Sequence, residues 1–263
     1  MTLADQITAL ILTYNEKDNI GRTLASLSWV PRILVIDSGS TDETLAIIAR
    51  FPQAEVVTRT FDGFAAQCNF GLSRVASPWV LSLDADYEVS ESLTREIKTL
   101  APTEEVSGFR VSFIYRVHGR DLRSTLYPSR TILYRKDRAK YRDVGHSHRV
   151  EITGSIVPLR ARIYHDDRKP QSRWLATQQR YARLEADYLL AARRADLGRA
   201  DRVRLLGWPA PILIFFYTLI VKRCVLDGWA GWFYVLQRTL AETLIAIEIV
   251  DSRLRSGSKC KAD

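Results

Sequence analysis

The sequence predicts an α/β fold: a Rossmann-like domain with a mostly parallel sheet, followed by a C-terminal helical region. Three observations predict it. Short apolar runs alternate with segments of helical spacing through the first third of the chain, the signature of strand–helix–strand units. Two of those runs end on aspartate, at Asp37 and Asp84. From Ser172 onward the spacing is helical throughout.

Ile7–Leu12 reads as the first strand, followed by Thr13-Tyr14-Asn15-Glu16 and a helix carrying Ile20, Leu24 and Leu27. Ile33–Ile36 is a second buried strand ending at Asp37. Ser40, with Glu43 three residues later, predicts a capping box that opens a helix through Leu45, Ile48 and Ala49. Val56–Thr58 gives a third strand, and Phe64–Arg74 a helix with Cys68 and Leu72 on one face. Trp79–Leu83 is a fourth strand leading into Asp84-Ala85-Asp86. The stretch Gly108–Tyr164 holds β-rich pieces at Phe109–Tyr115, Thr131–Tyr134 and Ile156–Ile163. After it, Trp174, Tyr181, Leu184, Tyr188 and Leu189 recur at three- and four-residue steps. The expected division is residues 1–170 as the α/β domain and 171–263 as the helical region.

The chain of 263 residues is 46% hydrophobic and 26% charged, which excludes global disorder. Its net charge of +8 suits anionic partners such as phosphorylated small molecules or acidic lipid headgroups. No nucleic-acid-binding module is recognisable, so nucleic acid is not an expected partner. Cys68, Cys224 and Cys260 are few and widely spaced, which argues against a disulfide framework or a zinc site and fits a reducing compartment. No secretory signal is expected, because Ile7–Leu12 is short and followed at once by a polar turn. The late apolar run Trp208–Val221 falls short of the ~20 residues of a spanning helix, which predicts a buried, interfacial or re-entrant helix.

The chemistry concentrates at strand ends. In open α/β sheets ligands bind at the carboxyl edge, where Asp37, Asp84 and Asp86 are expected. Two carboxylates at spacing i, i+2 past a buried strand can meet a divalent cation and a ribose together. Mg²⁺ or Mn²⁺ is commonly held by one or two carboxylates plus substrate phosphates. A solvated turn is the alternative reading of the same tripeptide.

These residues carry a resemblance. Leu12-Thr13-Tyr14-Asn15-Glu16, Val35–Asp42 and Leu83-Asp84-Ala85-Asp86 resemble, in order, spacing and strand context, the signature segments of family 2 inverting glycosyltransferases of the GT-A fold. The segment Phe215–Gly231, with Leu226-Asp227-Gly228, resembles the lipopolysaccharide-core β-glucosyltransferase branch. The resemblance implies that Thr13, Tyr14 and Glu16 line the nucleotide pocket and that Asp37 accepts a hydrogen bond from the nucleobase. It implies Asp84 near the ribose or metal, and Asp86 on a divalent cation bound to the diphosphate. His165, after the strand-like Arg160–Tyr164, is implied as a further metal contact; by pattern alone, His165-Asp166-Asp167 equally fits a charged turn before Pro170.

An inverting transferase also needs a base to deprotonate the acceptor hydroxyl. The resembling branch implies a His-Glu pair on a later loop, whereas Gly145–Glu151 has Arg149 where glutamate is expected. Asp121, Asp143, His146 and Glu151 are the candidates. Arg116, Arg120, Arg123, Arg130, Arg135 and Arg138 suit a phosphorylated glycolipid, or form a solvated basic surface. Trp208–Val221, flanked by Lys222, Arg223, Trp229, Trp232 and Tyr234, has the layout of an interfacial element.

The expected function is therefore transfer of a sugar from a nucleotide-sugar, UDP-linked, to a glycolipid or oligosaccharide acceptor. Envelope or lipopolysaccharide synthesis at the cytoplasmic face of the inner membrane, by a peripheral or monotopic protein, is the expected setting. A nucleotidyltransferase is the first alternative, disfavoured because Thr13–Glu16 lacks a glycine-rich phosphate loop. A binding or scaffold protein that lost its base is the second, kept open by Arg149.

Overall fold

Apolar runs as continuous as Ile7-Thr-Ala-Leu-Ile suit strands covered on both faces, and the first strands are of that kind. A computed structural model describes residues 2–144 and 147–259, with side chains described for 2–143 and 149–256; of the predicted site residues, His146 lies outside them. Strands β1 (Ile7–Thr13), β2 (Arg32–Asp37), β3 (Ala54–Thr58) and β4 (Trp79–Asp84) lie side by side in the order β3-β2-β1-β4, all parallel. Helices α1 (Ile20–Ser26), α2 (Thr44–Ile48) and α3 (Phe64–Arg74) fall between them in sequence.

Strand periodicity divides the core into two layers. Ile7, Ala9, Ile11, Val35, Leu81 and Leu83 pack with Ile20, Leu24 and Ile48 of α1 and α2. The same layer receives Leu93 and Ile97 of α4 (Glu91–Thr99), whose N-cap Ser90 accepts from the Leu93 N–H. Leu10, Leu34, Ile36 and Val80 face the opposite way, onto Cys68 and Leu72 of α3. Each fully buried Leu or Ile contributes about 1.5–3 kcal/mol. Gly71 lets α3 sit close to the sheet, since a Cβ there would lie 2.5 Å from Leu10 Cδ1 and 3.3 Å from Ile36 Cγ1.

Beyond β4 the sheet turns mixed. Strands β5 (Tyr87–Val89), β6 (Val106–Val117), β7 (Arg120–Asp121), β8 (Arg130–Arg135) and β11 (Ser155–His165) extend it in the order β4-β8-β6-β11-β5, with β7 paired to β6. β6 and β11 run parallel to each other, and β8, β5 and β7 are antiparallel to their neighbours. β1 through β4, β6 and β11 thus point the same way, and Thr13, Asp37, Asp84 and His165 all terminate at one edge. β9 (Ala139–Val144) and β10 (Ser147–Ile152) form a separate antiparallel hairpin.

The capping box expected at Ser40 does not form. α2 starts at Thr44 with Glu43 in the cap position, and the Ser40 hydroxyl instead donates to Asp37 Oδ1 at 2.5 Å. A buried carboxylate is a stronger acceptor than the chain offers Ser40 elsewhere.

The chain divides into two units, one of Met1–Asp121 with Tyr127–Lys169, the other of Leu122–Leu126 with the chain from Pro170 onward. The second unit contains α5 (Gln171–Ala191), α6 (Arg199–Leu206), α7 (Pro209–Phe216) and α8 (Gly228–Lys259). Ala186, Leu189, Leu197 and Ile249 form its core. Arg204 joins Glu242 at 2.6 Å, Asp201 at 3.3 Å and Glu185 at 3.5 Å. The Tyr234 hydroxyl accepts from the Leu126 N–H at 2.8 Å, which ties in the Leu122–Leu126 segment.

The run Trp208–Val221 is not one continuous helix, and most of its large apolar side chains are exposed although Ala210 and Thr218 are buried. α7 gives way to a π-turn at Tyr217–Val221, and Arg223, at a left-handed φ of 58°, turns the chain towards α8. Among the described residues no single helix is long and apolar enough to cross a membrane. Pro209–Val221 and Cys224–Ser256 meet that test together, with a bend of 66° between them.

Candidate functional site

Three loops meet at the carboxyl edge. The register sets Thr13 opposite Asp37 and Leu12 opposite Asp84, so the β1, β2 and β4 loops begin side by side. Asn15 takes a positive φ of 55°, tolerable for asparagine. Its Oδ1 accepts from the Thr41 N–H at 2.7 Å and its own N–H donates to Ser40 Oγ at 2.8 Å. The Glu16 N–H donates to Thr44 Oγ1 at 2.7 Å.

Asp37 is fully buried, and both its oxygens are engaged within the protein. Oδ1 accepts from Thr13 Oγ1 at 3.0 Å and from Ser40 Oγ; Oδ2 accepts from the Gly39 and Ser40 N–H groups at 2.9 Å each. The carboxylate expected to meet a nucleobase therefore orders the loop after β2. Tyr14, by contrast, is more than half exposed at the same edge.

Asp86 is buried, and its Oδ2 lies 3.3 Å from His165 Nε2. Backbone pairing brings the two together: His165 is in register with Tyr87, and the Asp166 N–H donates to the Asp86 carbonyl at 3.1 Å. Tyr87, Tyr115 and Tyr127 pack around the imidazole with ring centroids 4.7–5.4 Å away. Asp86 Oδ1 and His165 Nδ1 are buried and have no hydrogen-bond partner among the described residues. An orphaned carboxylate oxygen beside an imidazole suits a divalent cation. Among the described residues no group of three Asp, Glu, His or Cys could hold such an ion, so a cation here would need further ligands from a substrate or water.

Lys169 completes the cluster. Its ammonium lies 2.9 Å from Glu16 Oε1, 3.5 Å from Asp167 Oδ2 and 4.0 Å from Asp86 Oδ2. Asn19, fully buried, donates from Nδ2 to both Glu16 and Asp167 at 2.9 Å and accepts from the Arg168 N–H. Burial works against the Asp86 anion, but His165 and the Lys169 ammonium beside it overcome that and hold this carboxyl well below the usual range. Burial raises Glu16, with Lys169 opposing and the Asp86 charge adding to the rise. Burial also disfavours the Lys169 ammonium, yet Asp86, Glu16 and Asp167 keep it protonated far above the ordinary lysine range.

The other predicted residues divide by location. Asp84 is partly exposed, with Arg130 Nη1 at 3.6 Å. Asp121 lies on β7, paired with the end of β6 at the carboxyl edge, and its Oδ1 accepts from Arg116 Nε at 2.5 Å. Asp143 and Glu151 sit on the β9–β10 hairpin. Asp143 accepts from the Ala65 N–H at the start of α3 at 3.1 Å, and Glu151 pairs with Arg142 at 2.8 Å.

Residues 8–166, which take in all three loops and His165, match the family described as Glycosyl transferase family 2. The chain belongs to glycosyl transferase family 2. An uncharacterized glycosyltransferase of Rickettsia conorii is 23% identical over 278 residues, covering 100% of this chain and 96% of the relative. LpsC of Rhizobium meliloti, a lipopolysaccharide core biosynthesis glycosyltransferase, is 32% identical over 112 residues, covering 40% of this chain and 41% of its own. A solved structure of S. aureus TarS 1–349 in complex with UDP-GlcNAc is similar at 16% identity and a TM-score of 0.43, covering 96% of this chain and 92% of that one.

As a family 2 glycosyltransferase, the protein binds a nucleotide-sugar donor and an acceptor. Sequence reasoning missed Lys169, Asn19 and Tyr127 in this transferase. For Lys169 a signal was present: a lysine between an acidic run and Pro170, just past a strand end. Asn19 and Tyr127 carry no such mark.

Proposed function

We propose that this glycosyltransferase moves a sugar from a UDP-sugar to a hydroxyl of a glycolipid or oligosaccharide acceptor, with inversion at the anomeric carbon. The observation that carries the reading is the Asp86–His165 pair at the carboxyl edge, with its buried, unpartnered Asp86 oxygen. Asp86 and His165 would hold a Mg²⁺ or Mn²⁺, which neutralises charge on a departing diphosphate. Thr13, Tyr14 and Glu16 line the donor side, Asp37 fixes the loop beside them, and Asp84 with Arg130 faces the ribose and phosphates.

Asp121 takes the acceptor proton in this reading. It stands at the same sheet edge as His165 and is half exposed, as a base that meets an incoming acceptor must be. The acceptor oxygen bonds to the anomeric carbon while the bond to the diphosphate oxygen breaks, its electron pair leaving on that oxygen.

The helical unit and the partial likeness to LpsC support the setting. Trp208 and Trp229 are 74% and 84% exposed, and Ile220, Val221 and Leu226 are exposed between them. Lys222 and Arg223 lie in the same stretch, so apolar wedge and cationic flank suit an anionic bilayer surface. This supports a peripheral or monotopic enzyme of lipopolysaccharide or envelope glycan synthesis at the cytoplasmic face of the inner membrane.

Calorimetry of UDP binding with and without Mn²⁺, on wild type and Asp86→Ala, tests the donor site. Binding that Mn²⁺ strengthens and the substitution abolishes is expected. No UDP binding under any condition overturns the reading.

A further inference from the structure

We infer that Lys169 is the built-in counter-ion of the donor site, which makes divalent-cation binding conditional on the donor diphosphate. The inference rests on the metal reading of Asp86 and His165 above and adds a residue to it.

Three carboxylates, of Glu16, Asp86 and Asp167, surround one ammonium that is itself largely buried. The Lys169 N–H donates to Asp167 Oδ1 at 3.1 Å, and the preceding Arg168 and Asp167 are pinned by Asn19. Lys169 is therefore held in the cluster by its backbone as well as by charge. Burying these carboxylates without a cation would be costly, and the ammonium offsets that cost.

The same charge repels a second cation. A divalent ion on the orphaned Asp86 Oδ1 would share that carboxylate with an ammonium 4.0 Å from its Oδ2, in a setting where charges are poorly screened. A nucleoside diphosphate changes the balance by bringing its own negative charge. Its oxygens supply the ligands Asp86 and His165 lack, and also give Lys169 an anionic partner. Cation and donor then bind cooperatively, and the free site does not sequester metal.

The test measures Mn²⁺ affinity by paramagnetic resonance of the free ion, with and without UDP, in wild type, Lys169→Met and Lys169→Arg. Wild type is expected to bind Mn²⁺ about tenfold or more tightly with UDP than without it. Lys169→Met should bind Mn²⁺ alone about tenfold more tightly than wild type, with a reduced gain from UDP. Lys169→Arg, which keeps the charge, should follow wild type. Equal Mn²⁺ affinity of wild type and a folded Lys169→Met in the absence of UDP overturns the role of Lys169 and leaves the metal site standing. If the methionine variant does not fold, wild type decides: equal Mn²⁺ affinity with and without UDP overturns the inference. A wild type that binds no Mn²⁺ even with UDP overturns the metal reading itself.

Discussion

His165 Nε2 lies 3.3 Å from Asp86 Oδ2 although 79 positions separate them in the chain. The proximity is set by the backbone. β11 pairs with β5 so that His165 faces Tyr87, and the Asp166 N–H closes onto the Asp86 carbonyl. A side-chain pair mounted on paired strands is held to a tighter geometry than one on two free loops.

Asp86→Asn should therefore lower turnover by about 10²–10³-fold while the protein stays folded, as expected when charge stabilisation of a leaving group is removed. Steady-state kinetics with a UDP-sugar, beside a thermal melt, checks this. Turnover within about threefold of wild type would remove Asp86 from the chemistry.

The same variant has a signature in acid. The Asp86 carboxyl is held below its ordinary value of 3.8, so its contribution to stability is present above that value. It is lost as pH falls through the depressed folded value. Asp86→Asn lacks this contribution at every pH. The gap in melting temperature between wild type and variant should thus narrow on going from about pH 6 to about pH 3. A gap that widens contradicts the assignment.

Asp37 gives a different outcome. Four donors converge on it: Thr13 Oγ1, Ser40 Oγ and two backbone N–H groups. Asp37→Ala strands those donors at a buried position and should cost about 2–4 kcal/mol of stability, measured by urea unfolding. UDP binding should weaken with it, because the 38–44 loop also anchors Asn15 and Glu16. A variant as stable as wild type would show that water replaces the carboxylate.

Much of the sheet could be read in the sequence because its strands are fully covered. Ile7–Leu12, Ile33–Ile36 and Trp79–Leu83 are apolar enough to identify, and each strand end follows from its apolar run. Ser40 misled because serine followed three residues later by glutamate marks a cap only when no better acceptor competes, and Asp37 is a tertiary competitor. The Lys169 cluster was hidden for a related reason. Its members come from the β1 loop, the β4 loop and the end of β11, and only strand order brings them together. Local spacing does not encode strand order beyond the parallel core.

The exposed apolar segment of the helical unit leads to a binding prediction. Ile220→Glu and Trp229→Glu alter side chains that are largely exposed, so neither should unfold the protein. Each should lower partitioning into vesicles containing anionic lipid by about tenfold or more, measured by sedimentation. Added salt should weaken wild-type binding through Lys222 and Arg223. Unchanged partitioning in both variants would remove this segment from the membrane contact.

The three described candidates for the base differ in what holds them, and so in what their loss should do. Asp143 caps α3 from outside the helix through the Ala65 N–H, so Asp143→Ala should cost about 0.5–2 kcal/mol of stability. Glu151 makes an exposed pair with Arg142, and Glu151→Gln should change stability by less than about 1 kcal/mol. Asp121 is bonded to Arg116, which also reaches Glu88 at 3.6 Å, an arrangement that orients a carboxylate at the carboxyl edge. Asp121→Asn keeps its shape and removes its basicity. If Asp121 takes the acceptor proton, kcat should fall by about 10²–10⁴-fold with little change in the donor KM. A loss of that size in Glu151→Gln, with Asp121→Asn near wild type, would move the base to the β9–β10 hairpin.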